Sequence, residues 1–201
     1  NNSVGVVILT GEGEKAFIAG ADIKEMSLFS SKEAKNYSIN GQLLTKYIEN
    51  FPKPVIAAIN GFALGGGCEF AMSCHIRYAS ENTSLGQPEV GLGLIAGFGG
   101  TQRLSRLVGR GNALEILLSG QMISAVDAMR MGLINKIVPS DQLLDSCITL
   151  ASKILKQGPI AIRKTIESVN RGLDLNLDDG LDLEASLFGE IFDTQDQKEG
   201  T

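Results

Sequence analysis

The chain has 201 residues, of which 43% are hydrophobic and 20% charged, values typical of a folded globular protein with one sizeable domain. A formal net charge of −5 argues against general nucleic-acid binding, which needs a positive field, and the short, interrupted apolar runs predict no membrane-spanning segment. One histidine and three scattered cysteines give neither a zinc site nor a disulfide framework, so we expect no metal ion and a reducing compartment.

Strands and helices alternate in the first half of the chain. Residues 4–9 form a β-branched apolar run that predicts a strand buried on both faces, and residues 16–21 predict a strand end or a tight loop. A helix capped by Ser30 or Ser31 is predicted to end near Glu49, just before two prolines. Its expected apolar face consists of Ala34, Tyr37, Leu44, Tyr47 and Ile48.

Glycines mark the middle of the chain. A buried strand is predicted at residues 55–59 and a helix at residues 68–73, with the triplet Gly65-Gly66-Gly67 between them. A short strand is predicted at residues 76–79. Residues 84–100 are rich in glycine and irregular, which indicates an active-site loop.

The remaining residues are mostly helical, with one last strand predicted at residues 134–138. Ser124, followed three residues later by Asp127, predicts the start of one of these helices. The expected helical segments are 101–108, 112–118, 124–132, 141–156, 159–170 and 181–192. We therefore expect an α/β core over residues 1–138 and a helical region over residues 139–201.

The glycine triplet could place main-chain donors against a ligand. Glycine permits positive φ and leaves no Cβ in the way, and the helix that follows directs free N–H groups and the positive end of its dipole at the same spot. This arrangement suits an oxyanion hole, in which donors meet an oxygen that gains negative charge. A tight packing turn is the alternative interpretation, and the triplet by itself favours it.

Two glutamates could supply an acid and a base. Glu69 lies two residues after the triplet among apolar neighbours, where an unpaired carboxylate is costly. Glu89 follows Pro88 in the glycine-rich segment and projects from a stiff turn. Two carboxyl groups in one apolar cleft can divide these roles, because their surroundings separate their pKa values. Two unrelated exposed glutamates are the alternative, and spacing alone leaves it open.

A third segment, residues 15–22, consists largely of small apolar residues, which suggests that a large ligand lies against its backbone. Lys24 could then meet a phosphate group of that ligand. A loop that packs on its own core is the alternative interpretation. His75 is expected to be structural, because no Ser-His-Asp pattern includes it.

Together these features resemble the enoyl-CoA hydratase/isomerase (crotonase) family over nearly the whole chain. The segments that carry the resemblance are KAFIAGADIKEM at 15–26, KPVIAAINGFALGGGCEFAMSC at 53–74 and GQPEVGLGLIAGFGGTQRL at 86–104. Shorter stretches that also look like the family are LLSG at 117–120, AMRMGLINKIV at 128–138 and QKEG at 197–200.

The resemblance implies a role for each matching position. Ala19 and Gly66 match the positions whose main-chain N–H groups form the family's oxyanion hole for the thioester carbonyl. Glu69 would position or deprotonate a water molecule for attack at C3, and Glu89 would deliver a proton to C2. Gly97 matches a position near that water. The positions that match the coenzyme A site are Ala21, Asp22, Ile23 and Lys24.

The same resemblance implies a fold, a substrate and an assembly. We expect a spiral of ββα units and a helical C-terminal region that builds a homotrimer or a homohexamer. The expected substrate is an acyl-CoA thioester, with no cofactor beyond the coenzyme A that the substrate carries. A bacterial cytoplasmic location is preferred over the mitochondrial matrix. The family's first strands, first helix and extreme C-terminus have no counterpart in this sequence, so we expect an incomplete coenzyme A site.

An enoyl-CoA hydratase of fatty-acid β-oxidation is the leading hypothesis, because both acidic residues of true hydratases are present. An enoyl-CoA isomerase of the same fold usually needs only one of them. An RNA-binding relative without catalysis would need a basic helix, but the helix at 31–49 mixes lysines with glutamates. A purely structural trimer gives no reason for two acids beside the glycine triplet.

Overall fold

The structure is a computed structural model, which describes residues 3–194 and residue 197. Its strands in these residues are β1 (Val7–Thr10), β2 (Ala16–Ile18), β3 (Val55–Ile59), β4 (Phe62–Leu64), β5 (Ile76–Ser80), β6 (Ser84–Gly86), β7 (Ile123–Ser124) and β8 (Lys136–Val138). Its α-helices are α1 (Ile23–Met26), α2 (Ser31–Glu49), α3 (Gly66–Ser73), α4 (Gly100–Ser119), α5 (Ala125–Arg130), α6 (Leu143–Ile154), α7 (Pro159–Gly172) and α8 (Leu177–Ile191). Two 3-10 helices occupy Pro88–Leu92 and Ser140–Gln142. Apart from residue 197, the QKEG stretch lies outside the described residues, as does the end of the 139–201 region.

The strands divide between two sheets in alternation along the chain. One sheet has the order β1-β3-β5-β8 and is parallel throughout. The other has the order β2-β4-β6-β7, in which β7 runs antiparallel to β6. The chain therefore adds one strand to each sheet and then a helix, as in β3-β4-α3 and β5-β6-α4. Parallel neighbours require a crossover connection, which these helices supply, and the result is the expected spiral of ββα units.

Strand β3 lies at the centre of the core, and all five of its residues are buried, as predicted. Val55, Ala57 and Ile59 belong to the cluster that includes residues of α3 and α4. Ile56 and Ala58 belong to a second cluster with residues of α6. Both faces of the strand are therefore covered, which explains a continuous apolar run in place of alternating polar and apolar residues.

Strand β1 is less buried than predicted. Its first three residues are half-buried and Thr10 is exposed, so the expected burial on both faces is wrong. Among the described residues, β1 lies at the edge of its sheet and pairs only with β3. A β-branched run does not reveal which strand of a sheet lies at its edge.

Helix boundaries follow the predicted signals closely. Ser30 caps α2 in a reciprocal capping box with Glu33, and the Ser124 hydroxyl accepts a hydrogen bond from the Asp127 amide at the start of α5. The two helical segments expected on either side of residues 109–111 are one helix, α4, with a kink. Gly109 breaks the helical geometry there with φ 78° and ψ 159°.

The buried face of α2 differs from the one predicted from its apolar residues. Leu44 and Tyr47 are exposed, whereas Gly41 and Thr45 are buried. The helix packs through small and polar residues because the backbone of residues 97–99 lies against it. Polar contacts of this kind are invisible to a search for apolar periodicity.

The segment 84–100 is more regular than expected. It contains β6 and the 3-10 helix Pro88–Leu92 before an irregular stretch at 93–99. Strand β4 was also not predicted. Each of these strands has three residues, too few for a two-residue period to show.

The C-terminal helices α7 and α8 pack principally against each other. No residue of α7 is fully buried, and Leu187 is the buried residue of α8. In the part of the chain that the structure describes, no helix has the length and apolar character needed to cross a membrane.

Candidate active site

A cavity of about 770 Å³ is lined by residues that lie far apart in the sequence. Its wall includes all five residues predicted for the oxyanion hole, for the acid and the base, and for the position near the water, which are Ala19, Gly66, Glu69, Glu89 and Gly97. They come from the loop after β2, the start of α3, the first 3-10 helix and the irregular stretch at 93–99. We call this space the central cavity.

The glycine triplet turns the chain from β4 into α3. Gly65 has φ 53° and ψ −123°, a conformation that glycine adopts at little cost, and α3 begins at Gly66. A Cβ at Gly67 would lie 1.8 Å from the carbonyl oxygen of Ile18 and 2.6 Å from its carbon. The absence of a side chain at residue 67 therefore lets the end of β2 touch the start of α3.

This contact brings two main-chain donors together. The Ala19 N–H belongs to the peptide group that lies against Gly67, and Gly66 is the residue just before Gly67. Among residues 3–194 and 197, neither the Ala19 amide nor the Gly66 amide has a hydrogen-bond acceptor. The Gly66 amide also lies in the first turn of α3, where the helix dipole is positive. Two unpaired donors on the wall of one cavity can act as an oxyanion hole.

Glu69 is buried in the first turn of α3, with 1% of its surface exposed. Its Oε1 accepts hydrogen bonds from the main-chain amides of Phe98 at 2.7 Å and Gly100 at 2.6 Å. Burial raises the pKa of Glu69 to about 7, although these two bonds lower it, and the charge of Glu89 adds to the rise. A carboxyl group with this pKa can take up or release a proton near neutral pH.

Glu89 lies on the 3-10 helix that begins at Pro88. It is half-buried, and burial raises the pKa of its carboxyl group. The side-chain amide of Gln87 is assigned with its nitrogen towards Glu89, where it donates to both carboxylate oxygens at 3.0 Å. A Cβ at Gly65 would lie 2.8 Å from Glu89 Oε1. The glycine that opens α3 therefore also leaves room for this carboxyl group.

Gln87 is 1% exposed and lies near both carboxyl groups. A Cβ at Gly100 would lie 2.9 Å from Glu69 Oε1 and 3.0 Å from the end of the Gln87 side chain. The same side chain also contacts Glu89 and forms a hydrogen bond with Cys68. The structure thus brings Glu69 and Glu89 to the same part of the central cavity.

Sequence reasoning missed the residues that hold the loop above Glu69. The Arg103 guanidinium forms a bidentate ion pair with Glu49, with N–O distances of 3.1 and 2.9 Å, and also donates to the Phe98 carbonyl at 3.0 Å. The Thr45 hydroxyl donates to the same carbonyl oxygen at 2.9 Å. The available signal was the recurrence of polar residues every three or four positions along α2.

The residues predicted to contact coenzyme A divide into two pairs. Ala21 and Ile23 line the central cavity, whereas Asp22 and Lys24 do not. The Asp22 carboxylate accepts a hydrogen bond from the Lys24 amide at 2.8 Å, which caps the short helix α1, and Lys24 is exposed. The predicted contact of all four with coenzyme A stays a prediction.

His75 has the structural position that was expected. Its Nδ1 accepts from the Val55 amide at 2.9 Å, and its Nε2 lies 3.0 Å from the Glu49 carbonyl oxygen. These bonds tie β3 to the end of α2. Burial lowers the pKa of His75, so the neutral ring is favoured, with Nε2 as the donor.

The three cysteines are free thiols, and all are buried. Burial raises the pKa of Cys68 and Cys74 to about 12 and that of Cys147 to about 11. Within the described ranges, no three His, Cys, Asp or Glu side chains are grouped so that they could hold a metal ion.

The fold and the site define a class of protein. It is an α/β enzyme in which main-chain amides can polarise a carbonyl group while two carboxyl groups with raised pKa values can transfer protons. The wall of the central cavity is largely apolar, which suits an acyl chain.

Comparison with known proteins gives the family. A family model described as enoyl-CoA hydratase/isomerase matches residues 1–201. A short-chain-enoyl-CoA hydratase from Clostridium acetobutylicum is 50% identical over 199 residues, which are 99% of this chain and 76% of that protein. A crotonyl-CoA hydratase from Syntrophomonas wolfei is 49% identical over 198 residues, which are 98% of this chain and 76% of that protein. The crystal structure of an enoyl-CoA hydratase from Bacillus anthracis has a TM-score of 0.95 at 42% identity and covers 100% of this chain and 78% of that one.

The chain therefore belongs to the enoyl-CoA hydratase/isomerase family. The predictions of this family, of its fold and of a hydratase in place of an isomerase or an RNA-binding relative are confirmed. The chain spans about three quarters of the length of these relatives. The roles of the individual site residues stay predictions.

Proposed function

We propose that this protein is an enoyl-CoA hydratase, a hydro-lyase that adds water to 2-trans-enoyl-CoA. The addition is reversible and syn, and it gives 3-hydroxyacyl-CoA in fatty-acid β-oxidation. One observation carries the proposal: two carboxyl groups with raised pKa values and two unpaired main-chain amides line the same cavity. Membership of the family and the hydratase names of the relatives support it.

In the proposed reaction the thioester carbonyl oxygen accepts hydrogen bonds from Ala19 and Gly66. These amides are already in place and stabilise the negative charge that develops during addition, and one such donor can contribute about 3 kcal/mol. Ionised Glu69 takes a proton from water as the water oxygen bonds to C3, and protonated Glu89 gives a proton to C2. The substrate gains one water, and a proton transfer between the two carboxyl groups restores the starting state.

The proposed substrates are short-chain 2-enoyl thioesters of coenzyme A. The relatives described above are named for short-chain and crotonyl substrates. In this chain the rings of Phe29, Tyr37 and Phe98 line the central cavity, with each successive pair of ring centroids 5.3 Å apart. This row of rings bounds the space for an acyl chain. Comparison of kcat/KM for crotonyl-CoA and hexadecenoyl-CoA tests the proposed preference for short acyl chains, and equal values would contradict it.

Replacement of either acid tests the proposed roles. Glu69→Gln and Glu89→Gln should each lower kcat for crotonyl-CoA hydration by about 10²–10⁴-fold, the usual contribution of general acid–base catalysis. KM should change little, because neither acid is expected to bind the thioester. The measurement is the loss of absorbance of the conjugated thioester.

Glu12→Gln is the matched control, because Glu12 is an exposed glutamate of the turn before β2. It should leave kcat unchanged. Normal turnover by Glu89→Gln would overturn the role assigned to that residue. An assay with a 3-enoyl-CoA distinguishes a hydratase from an isomerase, because an isomerase would convert this substrate to the 2-enoyl isomer and a hydratase would not.

We also propose a homotrimer or a homohexamer built through the helical region 139–201 on the core 1–138. The support is a row of exposed apolar side chains on α7, α8 and their connection, which are Val169, Leu173, Leu177, Leu181 and Phe188. A cytoplasmic location is proposed on the basis of bacterial relatives and buried free thiols. The chemistry needs no cofactor beyond the coenzyme A of the substrate.

A further inference from the structure

A polar stripe on α2 faces the active-site loop. Ser38, Gln42, Thr45 and Glu49 recur at intervals of four, three and four residues and therefore share one face of the helix. We call these four residues the α2 stripe. Its members contact the loop at 97–98 or the Arg103 side chain that holds this loop.

Both ends of one peptide group in that loop are held. The Gly97 carbonyl oxygen accepts hydrogen bonds from Ser38 Oγ at 2.6 Å and from Gln42 Nε2 at 3.0 Å. The nitrogen of the same peptide group is that of Phe98, and it donates to Glu69 Oε1 at 2.7 Å. Because a peptide group is planar, two donors on its oxygen fix the direction of its N–H. The α2 stripe thus sets the direction of a bond to Glu69 without contact with that residue.

The Phe98 ring fixes the loop from a second side. A Cβ at Gly41 of α2 would lie 2.0 Å from Phe98 Cδ1, and a Cβ at Gly66 of α3 would lie 3.2 Å from Phe98 Cε2. The ring therefore fills the space between the two helices where both lack a side chain. The position of the ring leaves the Gly97–Phe98 peptide group little freedom to shift. The orientation of this peptide group therefore depends on the hydrogen bonds to its oxygen.

We propose that Ser38 and Gln42 are positioning residues of this active site, which hold the Gly97–Phe98 peptide group so that its amide meets Glu69. They transfer no proton in the reaction. Hydrogen bonds to a carbonyl oxygen also polarise the N–H at the other end of the peptide group, which strengthens its bond to an ionised carboxylate. The catalytic consequence rests on the proposed function, whereas the effect on Glu69 does not.

Two other charged groups act on the pKa of Glu69. Glu89, on the 3-10 helix, raises it, and Arg103, on α4, lowers it. Substitutions at residues 38 and 42 alter neither of these groups. A change in the pKa of Glu69 after such substitutions therefore reports on the Gly97–Phe98 peptide group.

The test is the double substitution Ser38→Ala with Gln42→Met, which removes both donors at similar side-chain size. The Glu69 carboxyl is titrated by ¹³C NMR in the protein without substrate and assigned with Glu69→Gln. Its pKa should rise by about half a unit or more, because a weakened hydrogen bond to the ionised form favours protonation. The apparent pKa on the acidic side of the pH profile of kcat/KM should rise by the same amount.

Asn40→Met is the matched control, because Asn40 is an exposed amide on the opposite face of α2. It should leave the pKa of Glu69 unchanged. The variant Ser38→Thr with Gln42→Met keeps a hydroxyl at residue 38, so the pKa of its Glu69 should return to that of the original protein. If the double variant does not fold, Ser38→Ala alone gives the same readout. An unmoved titration of Glu69 in a folded variant overturns the proposal. Full activity of Glu69→Gln would instead overturn the proposed function and leave the NMR result intact.

Discussion

Glu69 is held by two opposing effects. Its burial favours the neutral acid, and the amides of Phe98 and Gly100 favour the anion. Burial dominates, so the pKa rises to about 7 from the ordinary value of 4.5. The ionised form of Glu69 is therefore unfavourable in the fold, which is a common property of catalytic carboxyl groups.

This balance predicts opposite effects of pH on activity and on stability. The folded protein binds the Glu69 proton more tightly than the unfolded chain, so the free energy of unfolding should fall as pH rises from about 4.5 to 7, by on the order of 1 kcal/mol per pH unit. Activity should rise over the upper part of this interval, because the base must be ionised. Chemical denaturation and kcat/KM measured from pH 5 to 8 check both trends.

Glu69→Gln should flatten the loss of stability with pH, because it removes the group that titrates. The burial of Glu89 raises the pKa of that carboxyl group too, so part of the slope should remain. Glu12→Gln should retain the full slope, since that side chain is exposed. A Glu69→Gln variant with the slope of the original protein would show that the fold does not raise the pKa of Glu69.

At the scale of the elements, Gly67 couples the two loops that carry the donors. In Gly67→Ala the new Cβ would overlap the Ile18 carbonyl, so the end of β2 and the start of α3 must separate. A displacement of the donors by about 1 Å can cost about 10²-fold in rate. We expect a fall in kcat of that order and a loss of about 1–3 kcal/mol in stability from overpacking. Steady-state kinetics and chemical denaturation measure the two effects.

Gly111→Ala is the control for the Gly67 substitution. Gly111 is a glycine of α4 with open space around the position of a Cβ, and alanine favours a helix over glycine by up to about 1 kcal/mol. This variant should be at least as stable as the original protein and equally active. If Gly67→Ala were as active as Gly111→Ala, the close approach of the loops would be irrelevant to catalysis.

The sequence predicted the elements that have strong local signals. The buried run of β3, the serine that caps α2 and the glycine at the α4 kink each determine the local structure through their own chemistry. The resemblance to a family identified the residues of the site, which the spacing of Glu69 and Glu89 alone could not have paired.

What the sequence did not predict depends on contacts between distant segments. The edge position of β1 and the buried polar face of α2 are set by neighbours that fold against them. Arg103 and Thr45 also escaped detection, because each donates to a main-chain carbonyl group, which leaves no mark in the sequence. Gln87 is only two residues from Glu89, but a glutamine beside a glutamate does not by itself indicate a contact.

At the scale of the whole molecule, α7 and α8 pack on each other and leave a large apolar surface to solvent. Leu173 and Leu177 are 75% and 76% exposed. The proposed assembly predicts a mass in solution of three or six chains. The double substitution Leu173→Glu with Leu177→Glu should shift it towards one chain, because charges cannot be buried in an apolar interface without a partner. Light scattering after size-exclusion chromatography measures the mass.

Asn36→Glu with Asn40→Glu adds the same charge to an exposed face of α2 and should leave the mass unchanged. Far-UV circular dichroism should show the same helix content in both double variants, because the leucines contribute little to the core of one chain. A monomer in the original protein would contradict the assembly.

The three buried cysteines have a practical consequence. The thiolate is the form that reacts with alkylating reagents, and each native thiol keeps its proton well above neutral pH and is shielded from solvent. A cysteine introduced at the exposed Lys24 would therefore be the one site that maleimide dyes modify in the folded protein. A fluorophore attached there would be next in sequence to Ile23, which lines the cavity, and could report ligand entry without removal of any native residue from the core.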